Sequence, residues 1–146
     1  MKRTTPENVN KYCYAPKNDD AYLRLAQEYE DGYTFVYKIK CICENQHFFV
    51  YKDKHPTVEL KCNKCSEHIS VYDLKYYPCA VKLNKEYPLK LVSNDLYCVY
   101  VVFEYSNESE DEEDVPFDDN DITWCYIYIK NIIANEVIEL INDETA

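Results

Sequence analysis

The chain has 146 residues, of which 47% are hydrophobic, 29% charged and 15% aromatic, a balance that excludes a disordered chain and predicts one globular domain over 1–146, with roughly two-thirds of its unfolded surface buried. Gly32 is the single glycine, which excludes glycine-rich phosphate loops. No run approaches the ~18 uncharged apolar residues of a membrane span, and the opening MKRTTP has no apolar run behind it, so neither membrane association nor a secretory signal is expected.

The net charge of −11 is unevenly spread. Residues 1–95 hold 15 Lys/Arg against 13 Asp/Glu, whereas residues 96–146 hold Lys130 against 14 acids. Ten of those acids fall between Glu104 and Asp121, in EYSNESEDEEDVPFDDND. A self-repelling block of this kind predicts a solvated acidic loop over 106–121. It reads either as a solubilising insert or as a negative lure for a basic partner, with Glu110, Asp111, Glu112, Glu113 and Asp114 as the partner-binding candidates. Calcium at Asp118, Asp119 and Asp121 is set aside, because the stretch lacks the glycine and distal glutamate of an EF-hand.

In chain order, little up to Pro16 signals regular structure. Asp19 and Asp20 look like an N-cap pair, and Tyr22, Leu25, Ala26 and Tyr29 share one helical face closed by Gly32, which predicts a helix over about 20–30. From Tyr33 the period becomes two, with Tyr33, Phe35, Tyr37 and Ile39 on one face and Thr34, Val36, Lys38 and Lys40 on the other. Strands are predicted over 47–52, 57–61 and 68–73, with a turn at Pro56 in KDKHP and short edge pieces near Val81 and over 89–92. Segments 96–105 and 122–133 are apolar on both faces and rich in aromatic and β-branched residues, as central strands covered on both sides are. They are expected to form a hairpin around the acidic loop, and 135–142 is either a last strand or a helix. The fold class is α+β and β-rich, with antiparallel sheet and one or two short helices.

The chemistry resides in the cysteines, at 13, 41, 43, 62, 65, 79, 98 and 125. Without a secretory signal they are expected to stay reduced, in an intracellular, cytoplasmic protein, or a nuclear one if the source is eukaryotic or viral. Cys41-Ile42-Cys43 and Cys62-Asn63-Lys64-Cys65 stand eighteen residues apart, each beside a predicted strand, so a hairpin brings the pairs together. Four thiolates at ~2.3 Å from Zn²⁺ have edges of about 3.8 Å, which two tight turns supply. Lys40, Lys61 and Lys64 offset the charge of such a centre and favour the thiolate. Iron in a rubredoxin-like site uses the same ligands.

These residues resemble a zinc ribbon, the two-knuckle hairpin module. CNKCSEHI (62–69) is similar to its second knuckle and CICENQHF (41–48) to a CxC form of its first, over residues 33–73. The resemblance implies structural zinc on Cys41, Cys43, Cys62 and Cys65. The glycine that commonly follows each knuckle is replaced by Glu44 and by Ser66, which must therefore enter a conformation that glycine adopts at no cost.

Of the other cysteines, Cys98 and Cys125 read as small core hydrophobes, and Cys13 and Cys79 as free thiols or stand-ins for the metal set. No enzymatic activity is expected. Four cysteines close a zinc site that catalysis would need open. The HxE…PCxxC pattern of zinc deaminases is absent, since Pro78-Cys79 is followed by Ala80-Val81. His47, His55 and His68 read as strand-surface or supporting residues. The leading expectation is a zinc-binding protein that masks or recruits a basic protein partner, with sixteen tyrosines as interface material. The alternative is a nucleic-acid-binding accessory factor in transcription or replication, in which Lys38, Lys40, Lys52, Lys54, Lys61 and Lys64 track phosphates while Phe48 and Tyr51 stack bases.

Overall fold

Helix α1 (Asp20–Glu28) starts where the sequence places it, because the Asp19 carboxylate accepts the Tyr22 amide at 2.9 Å and Asp20 adds an acid to the first turn. It ends at Tyr29, and the chain turns through Gly32 at φ +87°. There the Asp31 carboxylate accepts the Tyr33 and Thr34 amides and the Thr34 hydroxyl, which launches the next strand. This computed structural model describes residues 11–52, 58–72, 79–80, 90–105 and 122–144. The acidic loop 106–121 with Glu110 to Asp114, most of the KDKHP turn, His55 and the piece at Val81 lie outside the described residues.

The described strands are β1 (Cys13–Tyr14), β2 (Thr34–Ile39), β3 (Phe48–Lys52), β4 (Val58–Cys62), β5 (His68–Tyr72), β6 (Cys79–Ala80), β7 (Lys90–Leu91), β8 (Tyr97–Tyr105), β9 (Ile122–Asn131) and β10 (Val137–Glu144). They form one curled antiparallel sheet. Its main path runs β1-β2-β8-β3-β4-β5-β6, with β9 on the other edge of β8, β10 beyond β9, and β7 beside β3. The expected pairing of the two long apolar segments is present, in a register that runs from Tyr97↔Asn131 to Glu104↔Trp124. The last segment resolves as strand β10, paired to β9 with a bulge between Glu139 and Ile141.

Two strands in succession share one edge of β8. Thr34–Lys38 of β2 lie against Tyr100–Glu104, and Phe48 of β3 takes over opposite Tyr97. The chain between them, 40–47, is extruded from the sheet. β4 then pairs with β3 at Phe48↔Cys62, so the segment after β2 and the turn after β4 emerge side by side.

The inner face of the curl holds Ile39, Phe48, Val50, Leu60, Ile69, Val99, Val101, Ile127 and Ile129. All are fully buried, and each contributes roughly 1.5–3 kcal/mol through lost contact with water. On the other face α1 lays Ala21 and Leu25 over Val36, Cys98, Tyr100 and Val102. β8 is thus covered on both faces, which is why its sequence shows no alternation.

The segment up to Pro16, where little regular structure was expected, contributes the two-residue β1, which pairs with β2 at Cys13↔Ile39, and Tyr12 is fully buried. Cys13 is correspondingly a core residue, as are Cys98 and Cys125. A strand of two residues pairing with an existing edge is too short to carry a periodic signal of its own.

Candidate metal centre

The first knuckle follows directly from the end of β2. The Cys41 amide donates to the Asn45 carbonyl at 2.8 Å, and the Glu44 amide donates to the Cys41 carbonyl at 2.8 Å. Closing so tight a turn puts Glu44 at φ +73°. The second knuckle closes the β4–β5 hairpin: the Cys62 amide donates to the Glu67 carbonyl at 2.9 Å and the Ser66 amide to the Cys62 carbonyl at 3.1 Å, with Ser66 at φ +63°. The two residues that stand where glycine is usual in the ribbon pattern are therefore the two in left-handed backbone, at a cost of roughly 1–2 kcal/mol each for a side chain with Cβ.

The four sulfurs converge. Cys41 and Cys65 Sγ are 3.3 Å apart, Cys43 and Cys62 Sγ 3.5 Å, and all four lie within 4.8 Å of one another. These separations bracket the ~3.8 Å edge of a tetrahedral thiolate site, so the four cysteines can hold a metal ion. The two short edges each join one cysteine of each knuckle, so an ion here ties β2 to the β4–β5 hairpin. Cys41 and Cys62 are buried at the rim of the inner core, Cys43 is half-buried and Cys65 is exposed.

The surroundings are asymmetric. Cys62 Sγ accepts the Lys64 and Cys65 amides, both at 3.4 Å, and the Asn45 side-chain amide at 3.2 Å. Burial opposes ionisation of Cys62, but these donors outweigh it and hold the thiol down to about 6. Cys41 sits opposite the Glu67 carboxylate at 3.3 Å, and the Tyr12 hydroxyl donates to the other Glu67 oxygen. Burial first, then the neighbouring thiols and carboxylate, push the Cys41 thiol up.

Asn45, Glu67 and Tyr12 are supporting residues that the sequence reading missed. Asn45 laces the two knuckles together through its bond to Cys62 Sγ, and the same side-chain amide donates locally to the His47 carbonyl at 2.6 Å. Its position two residues after Cys43 was the only available signal. The histidines flank the site without entering it: His47 is exposed, and His68 is half-buried with Nδ1 unpartnered among the described residues. Burial, and then Lys61, lower the His68 pKa.

The residues of the nucleic-acid alternative do not stay together. Lys38 is buried, paired with Asp19 at 2.6 Å, and Phe48 is fully buried in the core, so neither can meet a nucleic acid. Lys40 stands over the Tyr14 ring at 4.9 Å. Lys52, Lys61 and Tyr51 are half-buried and Lys64 is exposed, whereas Lys54 lies outside the described residues. Among the described residues no helix is long and apolar enough to cross a membrane. Comparison with protein-family models, curated proteins and solved structures finds no match to this chain.

Proposed function

We propose that the protein is a non-enzymatic zinc protein in which Cys41, Cys43, Cys62 and Cys65 hold a structural Zn²⁺ in a zinc-ribbon-like module, and that the domain so pinned acts by binding a basic protein partner. The observation that carries the metal part is the convergence of four Sγ atoms from two turns, each turn closed by a residue in left-handed backbone. A metal bound by both turns would hold them together in this backbone. Thiolates suit Zn²⁺ over hard cations such as Mg²⁺ or Ca²⁺. Four protein ligands leave no position for a substrate.

Within the site each residue has a role. Cys62 offers a thiolate at neutral pH before the ion arrives. Its amide donors then share the charge of the filled centre, and Asn45 fixes the distance between knuckles. The binding part rests on charge: with 14 acids against one lysine over 96–146, the chain draws basic partners through its field.

Elemental analysis and native mass spectrometry of untagged protein test the metal part. One zinc per chain, lost with acid and lost in Cys62→Ser, is the expected result. A metal-free chain with an intact fold sinks it.

A further inference from the structure

The outer face of β9 carries a row of half-buried aromatic side chains, Trp124, Tyr126 and Tyr128. Trp124 and Tyr126 stack at 6.0 Å with 19° between their planes, and Tyr29, from the C-terminal end of α1, packs on Tyr126 at 5.6 Å. The Tyr29 and Tyr128 hydroxyls are hydrogen-bonded at 2.8 Å. Four rings from two elements therefore form one fixed platform. Its borders are acidic: Glu104 pairs across from Trp124 on β8, Glu139 pairs across from Tyr128 on β10, and the exposed Glu28 precedes Tyr29. Burial, and then Asp31, raise the Glu104 pKa, as expected for an acid in surroundings already negative. Lys130 follows only at the far end of the row.

We propose that this platform is a docking surface for a basic peptide segment of a partner protein, which lays arginine or lysine side chains over the Trp124 and Tyr126 rings between the flanking carboxylates. The aromatic faces carry negative quadrupole charge, and the best of them for a cation is tryptophan. The occupant is fixed by complementarity. Nucleic acid is repelled by the carboxylates, whereas an apolar peptide makes no use of the charge that Glu28 and Glu139 place beside the rings. Elsewhere the chain supplies such cations itself: Lys11, Lys38 and Lys40 stand over Tyr12, Tyr100 and Tyr14. Among the described residues none stands over the rings of this platform. The inference deepens the partner-binding reading above, on which it rests, and assigns the contact to described residues of α1, β8, β9 and β10.

The test is fluorescence anisotropy of a labelled oligo-arginine peptide against zinc-loaded full-length chain at physiological salt. The parent is compared with Trp124→Ala, with Tyr126→Ala, and with a loop variant that replaces Glu110 to Asp114 by their amides. Circular dichroism confirms that each variant folds. Trp124 is the only tryptophan, so its emission reports contact directly. The expected result is a change in Trp124 emission on saturation and a loss of about fivefold or more in affinity in both aromatic variants, with a smaller loss in the loop variant. No binding, unchanged emission, a smaller loss in either aromatic variant, or abolition by the loop variant alone overturns the proposal. Zinc content is measured on the same samples, so failure here is separable from failure of the metal reading.

Discussion

Asn131 Oδ1 holds the turn between β9 and β10 as Cys62 Sγ holds the turn between β4 and β5. Asn131 accepts the Ile133 and Ala134 amides at 2.8 and 3.0 Å, the positions corresponding to Lys64 and Cys65. The Asn135 amide donates to the Asn131 carbonyl and the Asn131 amide donates to the Glu136 carbonyl, matching Ser66, Cys62 and Glu67. Asn135, at φ +60°, matches Ser66. The chain thus builds one turn twice, once around a thiol of the four-cysteine cluster and once around an amide outside it. The second copy shows that the backbone of the knuckle is accessible without an ion, through a good side-chain acceptor.

That relationship predicts a difference in exchange. Stripping metal with a chelator should speed hydrogen exchange of the Lys64 and Cys65 amides while Ile133 and Ala134 stay protected, because their acceptor, Asn131 Oδ1, needs no metal and the Asn131 side-chain amide is held by donating to Asp95 at 2.8 Å. Equal loss of protection in both turns, followed by mass spectrometry or NMR, contradicts the assignment of the metal to the first.

The left-handed residues predict gains in stability. Replacing Ser66 or Glu44 by glycine relieves ~1–2 kcal/mol of backbone strain, offset in part by the greater freedom glycine gives the unfolded chain, for a net gain of about 0.5–1 kcal/mol. Asn135→Gly should gain less, since asparagine tolerates this region better. Urea midpoints of the three variants rank the effects. A loss at Ser66 and Glu44 means that those side chains contribute contacts that outweigh the strain.

Asp19 joins three partners beneath α1: it caps the helix, accepts the Tyr100 hydroxyl at 2.9 and 3.0 Å, and pairs with Lys38. Burial disfavours its charge, but Lys38, the Tyr22 amide and Tyr100 together bring its pKa below the ordinary 3.8. For Lys38 burial likewise works against the charge, and Asp19 more than restores it, so its pKa stands above 10.5. A lowered carboxylate stabilises the fold above its unfolded pKa and loses that contribution as pH falls through the folded value. A raised lysine stabilises below its unfolded pKa and loses that contribution as pH rises through the folded value. The pair's contribution should therefore be flat from about pH 5 to 10 and fall on both sides. Asp19→Ala, which leaves Lys38 buried without its counter-charge, should cost about 3 kcal/mol or more and flatten the acid limb. Thermal melts across pH read both effects.

The cysteines divide by environment. Cys62→Ser should abolish metal binding. Cys125→Ser, in a fully buried apolar position, should keep the metal and cost about 1–3 kcal/mol for a hydroxyl in the core. Metal retention in the first, or loss in the second, reverses the division.

The sequence made the metal set legible because its ligands are local pairs, and the flanking strands say that the pairs meet. The replaced glycines also announced their backbone: Glu44 and Ser66 are both at positive φ. Helix α1 and the β8–β9 hairpin followed from a cap residue and from long apolar runs. What could not be read depends on tertiary placement. Lys38 shares a strand face with Val36 and was a candidate for contact with nucleic acid, and only the docking of α1 shows that both are covered. Asn45 and Glu67 are ordinary polar loop residues until two knuckles bring them to the sulfurs. The stretch 135–142 became a strand because the free edge of β9 was there to receive it, a choice its periodicity does not encode.

The most direct test of the account is X-ray absorption at the zinc edge on the purified, zinc-loaded chain. Four sulfur neighbours at about 2.3 Å, with no nitrogen or oxygen in the first sphere, are predicted. Three sulfurs with one lighter ligand would show an open site and return catalysis to consideration, and a chain that takes up no zinc would remove the metal from the fold altogether.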